Sequence, residues 1–131
     1  MQRVSRMAKT VLIVDDNALI RHRLCELFQS QADFDVCGEA ENGKEAIDRA
    51  WELRPDLIVL DFSMPVMNGF DAARALKRTL PNVPLIMFSE YGDALSEQEV
   101  RSAGISASIS KTENLSVLVE KARSLLYRAA A

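Results

Sequence analysis

Short, uninterrupted apolar runs alternate along this chain with longer stretches in which apolar residues recur every three or four positions. Val11-Leu12-Ile13-Val14 and Leu57-Ile58-Val59-Leu60 are too short for helices. They predict strands buried on both faces, as in a parallel sheet. Between them, Ile20, Leu24, Leu27 and Phe28 keep helical spacing, which predicts a helix from about Asn17 to Gln31 with Asn17 as its N-cap. Phe34 to Ala40 reads as a second strand. Asn42-Gly43 is a turn before a helix carrying Ala46, Ile47, Ala50 and Trp51, and Arg54-Pro55 stops that helix, because the residue before proline avoids helical geometry.

The second half repeats the alternation. A loop from Met64 to Gly69 leads to a helix with Phe70, Ala73, Leu76 and Leu80 on its inner face. Pro81 and Pro84 bracket a turn, and a fourth strand from Val83 to Phe88 ends at Ser89. Tyr91-Gly92-Asp93 precedes a weakly amphipathic helix with Leu95, Val100 and Ala103, closed by Gly104. A short strand, Ser106 to Ile109, precedes Lys111. The last helix has the cleanest period: Leu115, Leu118, Val119, Ala122, Leu125 and Leu126. Five strands alternating with five helices predict an α/β fold, a parallel sheet covered on both faces because right-handed crossovers place helices there. Ligands of such sheets bind at the carboxyl ends of the strands.

Polar residues stand at those ends. Asp15-Asp16 follow the first run, Asp61 the third, Ser89 the fourth and Lys111 the fifth. Carboxylates gathered at one sheet edge repel, and a hard divalent cation with oxygen ligands relieves the repulsion. The pattern therefore predicts a Mg²⁺-type site, with a hydroxyl and an ammonium converging on it.

Composition narrows the function. The 131 residues have the length of one domain, and 48% hydrophobic content suffices for one core. Net charge is -3 and no basic stripe follows a phosphate backbone, which argues against direct nucleic-acid binding. Cys25 and Cys37 lie in apolar surroundings without metal or redox spacing and read as reduced core residues. No apolar stretch reaches the ~18 residues of a membrane span, and Met1 to Lys9 lacks a signal-peptide centre, so a cytoplasmic protein without membrane contact is expected. Arg3, Arg6 and Lys9 make residues 1–9 a solvated tail, with residues 10–127 as the domain and 128–131 as a second tail. His22 reads as a surface residue, and Met64 and Met67 as packing residues.

Together, Val14-Asp15-Asp16, Leu60-Asp61-Phe62-Ser63-Met64-Pro65 with Asn68-Gly69, Phe88-Ser89, and Ala103-Gly104 leading to Ser110-Lys111 closely resemble the receiver domain of bacterial two-component response regulators. The resemblance runs from about Thr10 to Leu126. It implies a flavodoxin-like, doubly wound five-stranded parallel sheet of order 2-1-3-4-5 with five helices. It also implies that Asp61 takes a phosphoryl group from a phosphohistidine, that Asp15, Asp16, Asp61 and the main-chain carbonyl of Ser63 hold Mg²⁺ or Mn²⁺, and that Ser89 and Lys111 contact the phosphoryl group. The implied partners are a sensor histidine kinase or phosphotransfer protein, and a downstream protein or a fused output domain that this chain lacks. The flank of the last helix offers a homodimer surface. Ser63-Met64-Pro65 and the segment from Gly38 to Gly43 resemble receivers of longer transcription regulators.

Three positions depart from the family pattern. Ser108 replaces the usual aromatic residue, Glu90 a small residue beside the hydroxyl position, and Thr112 the usual proline after the lysine, with Tyr91 as a substitute aromatic. These departures predict an atypical switch, and leave open a degenerate receiver acting as a phosphorylation-independent interaction module. An aspartate-nucleophile phosphatase is disfavoured: neither Asp61-Phe62-Ser63 nor Asp15-Asp16-Asn17 supplies the second aspartate two residues on.

Overall fold

The computed structural model describes residues 8–62, 64, 67–90 and 96–127. Five parallel strands, β1 (Lys9–Val14), β2 (Phe34–Ala40), β3 (Leu57–Asp61), β4 (Leu85–Ser89) and β5 (Ala107–Ser110), form one sheet of order β2-β1-β3-β4-β5. Five helices connect or follow them: α1 (Ala18–Gln29), α2 (Gly43–Leu53), α3 (Gly69–Thr79), α4 (Glu97–Ser102) and α5 (Leu115–Tyr127). The expected doubly wound fold and strand order are those observed.

Successive strand residues point to opposite faces, so each run feeds two cores. Val11 and Ile13 pack with Leu24 and Phe28 of α1 and Leu118, Val119 and Ala122 of α5. Leu12 and Val14 pack instead with Ala46 and Ala50 of α2, Ala72, Ala73 and Leu76 of α3 and Val100 of α4. Small residues on α2 and α3 let these helices lie close, and a Cβ on Gly43 would meet the Met67 Cβ at 2.9 Å. Each large apolar side chain so buried stabilises the fold by roughly 1.5–3 kcal/mol before entropy is counted.

Local chemistry sets the boundaries. Asn17 caps α1 as expected, accepting from the N–H groups of Leu19 and Ile20, but the helix stops at Gln29, where Ser30 donates its N–H to Glu26. Strand β4 begins at Leu85, not Val83, because Pro84 has no N–H for the ladder. Strand β5 begins at Ala107, since the Ser106 N–H and hydroxyl are both engaged with the main chain of Leu85. Gly104 closes α4 at φ +84°. Leu95, expected on α4, lies outside the described residues.

Trp51 lies on α2 as expected. It is 57% exposed, and the Arg54 guanidinium stacks 4.0 Å from its ring centroid. Lys9, expected in the N-terminal tail, begins β1, with its N–H bonded to the Asp33 carbonyl. His22 is exposed on α1 beside Glu26, at 3.6 Å. Met64 and Met67 pack on the core, and both cysteines are unpaired.

Candidate functional site

The parallel register brings the carboxyl ends of β1, β3, β4 and β5 to one edge: Val14 pairs with Leu60, Asp61 with Phe88, and Ser89 with Ser110. Asp15, Asp61, Ser89 and Lys111 converge there although up to about a hundred residues separate them in the chain. Asp15 and Asp61 are 1% and 5% exposed, Ser89 is buried, and Asp16 lies at the surface.

Lys111 bridges the two buried carboxylates. Its Nζ is 3.1 Å from Asp15 Oδ2 and 3.1 Å from Asp61 Oδ1. Burial by itself lowers the pKa of the ammonium, but its bonds to Asp15 and Asp61 outweigh that and hold it above the usual lysine value. The Lys111 N–H also donates to the Ser89 carbonyl at 2.8 Å, so the ends of β4 and β5 are tied through the main chain.

Asp15, Asp16 and Asp61 each offer a carboxylate oxygen, all within 4.8 Å of one another. Oxygens that bind Mg²⁺ directly stand ~2.1 Å from the ion, hence at most ~4.2 Å from one another, and the ion keeps several waters, so these three acids could hold such a cation directly or through water. Asp15 Oδ1 is already engaged by the Asn17 N–H at 2.9 Å, which orients the carboxylate, and Oδ2 faces Lys111. Ser63, whose carbonyl was expected among the ligands, and Tyr91 lie outside the described residues.

An open cleft of about 370 Å³ reaches the site, lined by Asp16, Asn17, Ile20, Asp61, Ser89, Glu90 and Lys111. Among the three acids, Asp61 alone is both buried and part of the cleft wall. Glu90 stands exposed at the rim, and Ser108 is exposed on β5, paired in register with Met87. The Thr112 hydroxyl lies 2.7 Å from that of Ser110, and its N–H donates to Ser110 Oγ at 3.2 Å. A local hydroxyl turn therefore orders the loop after Lys111, and no cis peptide occurs among the described residues.

Sequence reasoning missed Arg21 and Glu39. Arg21 Nη1 donates to the Asp15 carbonyl at 2.8 Å, while Nε donates to Glu39 Oε1 at 2.9 Å. The i, i+6 spacing from Asp15 into the first turn of α1 was the only available signal.

A family model described as the response regulator receiver domain matches residues 11–123. The chemotaxis protein CheY of Thermotoga maritima is 40% identical over 114 residues, covering 87% of this chain and 94% of that protein. Response regulator protein VraR of Staphylococcus saprophyticus subsp. saprophyticus is 36% identical over 113 residues. That match covers 86% of this chain, which spans 54% of VraR. The crystal structure of the response regulator domain of Thermotoga maritima CheB is similar at a TM-score of 0.84 and 31% identity, over 91% of this chain and 96% of that one.

Proposed function

This chain belongs to the response regulator receiver domain family of two-component signalling, and from that membership we propose that Asp61 is its phosphoacceptor. The observation that carries the assignment is the position of Asp61, buried yet lining the cleft beside Ser89 and Lys111. A carboxylate so placed is partly stripped of water and open to an incoming phosphorus atom.

In the proposed reaction an Asp61 carboxylate oxygen forms a bond to phosphorus as the bond from phosphorus to a histidine nitrogen of the donor breaks. The product is an acyl phosphate, and the released imidazole nitrogen keeps the electron pair and takes up a proton. Asp15, Asp16 and Asp61 would hold Mg²⁺ or Mn²⁺, with the Ser63 carbonyl as a further ligand. Such a cation neutralises charge on the transferred group. Lys111, 3.1 Å from Asp61, is placed to pair with the phosphoryl oxygens, and Ser89 to donate its hydroxyl to one of them. The donor is a histidine kinase or phosphotransfer protein. The recipient of the signal is a downstream protein or a fused output module.

The readout we propose runs through the bond between the Lys111 N–H and the Ser89 carbonyl, because Ser108 offers no ring to couple the site to the outer face of β5. Drawing Ser89 toward a phosphoryl group would then carry the β5–α5 loop with it. A phosphorylation-independent interaction module is the second reading, favoured by the Glu90 carboxylate at the rim of the cleft.

Incubation with Mg²⁺ and acetyl phosphate, followed by intact mass measurement, tests the first reading. The parent gains one phosphoryl group, chelation of Mg²⁺ suppresses the gain, and Asp61→Asn does not gain it. Equal labelling of Asp61→Asn would remove Asp61 from its role, and an unlabelled parent would favour the interaction module.

A further inference from the structure

Asp15 is the first residue beyond β1, so its carbonyl has left the parallel ladder and needs another partner. That carbonyl belongs to the peptide linking buried Asp15 to exposed Asp16, the two acids expected to share a cation. Arg21 supplies the partner. It sits in the first turn of α1, its N–H bonded to the Asn17 carbonyl at 2.9 Å, and a helical side chain there reaches back toward the helix N-terminus. Its side chain is mostly buried, at 16% exposure, and the guanidinium donates in two directions: Nη1 to the Asp15 carbonyl at 2.8 Å, and Nε to Glu39 Oε1 at 2.9 Å.

We propose that Arg21 is a positioning residue for the cation site, locking the Asp15–Asp16 peptide between the end of β1 and Glu39 at the end of β2. The proposal rests on the reading of Asp15, Asp16 and Asp61 as the ligand set. The planar fork is what the task needs, since one rigid group spans two acceptors, one just beyond β1 and the other on β2. Three main-chain and side-chain restraints then hold the corner: the Asp15 N–H on the Ala40 carbonyl at 3.1 Å, the Asn17 N–H on Asp15 Oδ1, and Arg21 on the Asp15 carbonyl. With two of them alone, the peptide plane can turn and Asp16 leaves the strand end in more than one direction.

Charge and position make opposite predictions. A guanidinium beside a cation site repels the cation, so if Arg21 acted only through its charge, Arg21→Gln would bind Mg²⁺ more tightly. As a positioning residue, its loss weakens binding by about 10-fold or more, the range typical of groups that hold metal ligands in place.

Isothermal titration of Mg²⁺ into metal-free protein decides between them, with circular dichroism to establish that each variant is folded. Weaker Mg²⁺ binding by folded Arg21→Gln supports the proposal; parental or tighter binding overturns it. Should Arg21→Gln not fold, Arg21→Lys decides, because it keeps the charge and loses the fork: weaker binding supports the role and parental binding overturns it. Absence of Mg²⁺ binding by the parent would defeat the ligand-set reading itself. Binding by the parent that is lost in Asp16→Asn but intact in Arg21→Gln would overturn only the role of Arg21.

Discussion

Gly69 faces the main chain of Asp61 so closely that a Cβ on it would lie 2.8 Å from the Asp61 carbonyl oxygen and 2.7 Å from the Phe62 Cα. Its N–H donates to the Phe62 carbonyl at 2.8 Å, so the start of α3 is strapped to the end of β3. Both obstacles are backbone and cannot swing aside. Gly69→Ala is expected to lower stability by about 1–3 kcal/mol, the usual range for overpacking, and to slow phosphoryl acceptance by displacing Asp61. Urea unfolding and mass labelling check the two effects.

Replacing Lys111 separates its charge from the cation's. In Lys111→Met the buried carboxylates of Asp15 and Asp61 lose an ammonium 3.1 Å from each. Breaking a buried pair from one side costs about 3–5 kcal/mol. The metal-free variant should melt well below the parent, and saturating Mg²⁺ should raise its Tm more than it raises the parent's. Equal Mg²⁺ shifts would show that the lysine and the cation do not share these acids.

The element order and the site edge were legible because the buried runs are short, nearly uninterrupted and followed directly by charged residues. Asp15, Asp61, Ser89 and Lys111 could be placed from where those runs stop. Gly69 could be read only as part of a loop, since its role is a close approach between two backbones that no local pattern encodes. The exposure of Trp51 was not legible, because it neighbours Ala50 at the edge of the buried stripe and its stack with Arg54 depends on a residue beyond the helix, at φ 50°. Arg21 was missed for the same kind of reason: its acceptors are a main-chain carbonyl and a side chain on another strand.

Glu90 lines the cleft from an exposed position. Its repulsion of an incoming phosphodonor is screened by water and resembles an exposed ion pair in size, about 0.2–1 kcal/mol. Glu90→Ala should therefore take phosphate from acetyl phosphate at most about five times faster than the parent at low salt, with the difference shrinking as salt rises. A slower variant would reverse the sign of this argument.

Arg123 holds Asp33 through two bonds, Nε to Oδ2 at 2.7 Å and Nη2 to Oδ1 at 3.1 Å. These bonds hold the Asp33 carboxyl below its ordinary value. A depressed carboxyl pKa contributes stability that is present above the unfolded value, about 3.9, and lost as pH falls through the lower folded value. Both side chains are more than a third exposed, so the contribution is at most about 1 kcal/mol. Asp33→Asn should be slightly less stable than the parent at pH 7, and the gap should close below about pH 4.

Burial, reinforced by Glu39, pushes the Cys25 thiol up to about 11, and burial also raises that of Cys37. Thiolate is the reactive form, so both should react far more slowly with iodoacetamide at pH 8 in the native protein than in urea. Native labelling at the unfolded rate would contradict this. Because its folded value is raised, Cys25 favours folding fully below the unfolded thiol value, about 8.5, and this is lost as pH climbs toward 11.

The acids and the ammonium come from the ends of β1, β3 and β5, which share one sheet edge only after every crossover helix has been laid down. No contiguous stretch of half the chain contains Asp15, Asp61 and Lys111 together. A chain emerging from the ribosome acquires the whole constellation only when Lys111 has docked, so the ammonium that neutralises Asp15 and Asp61 arrives last. Mg²⁺ held by the proposed ligands would stabilise any state in which the ends of β1 and β3 are already together.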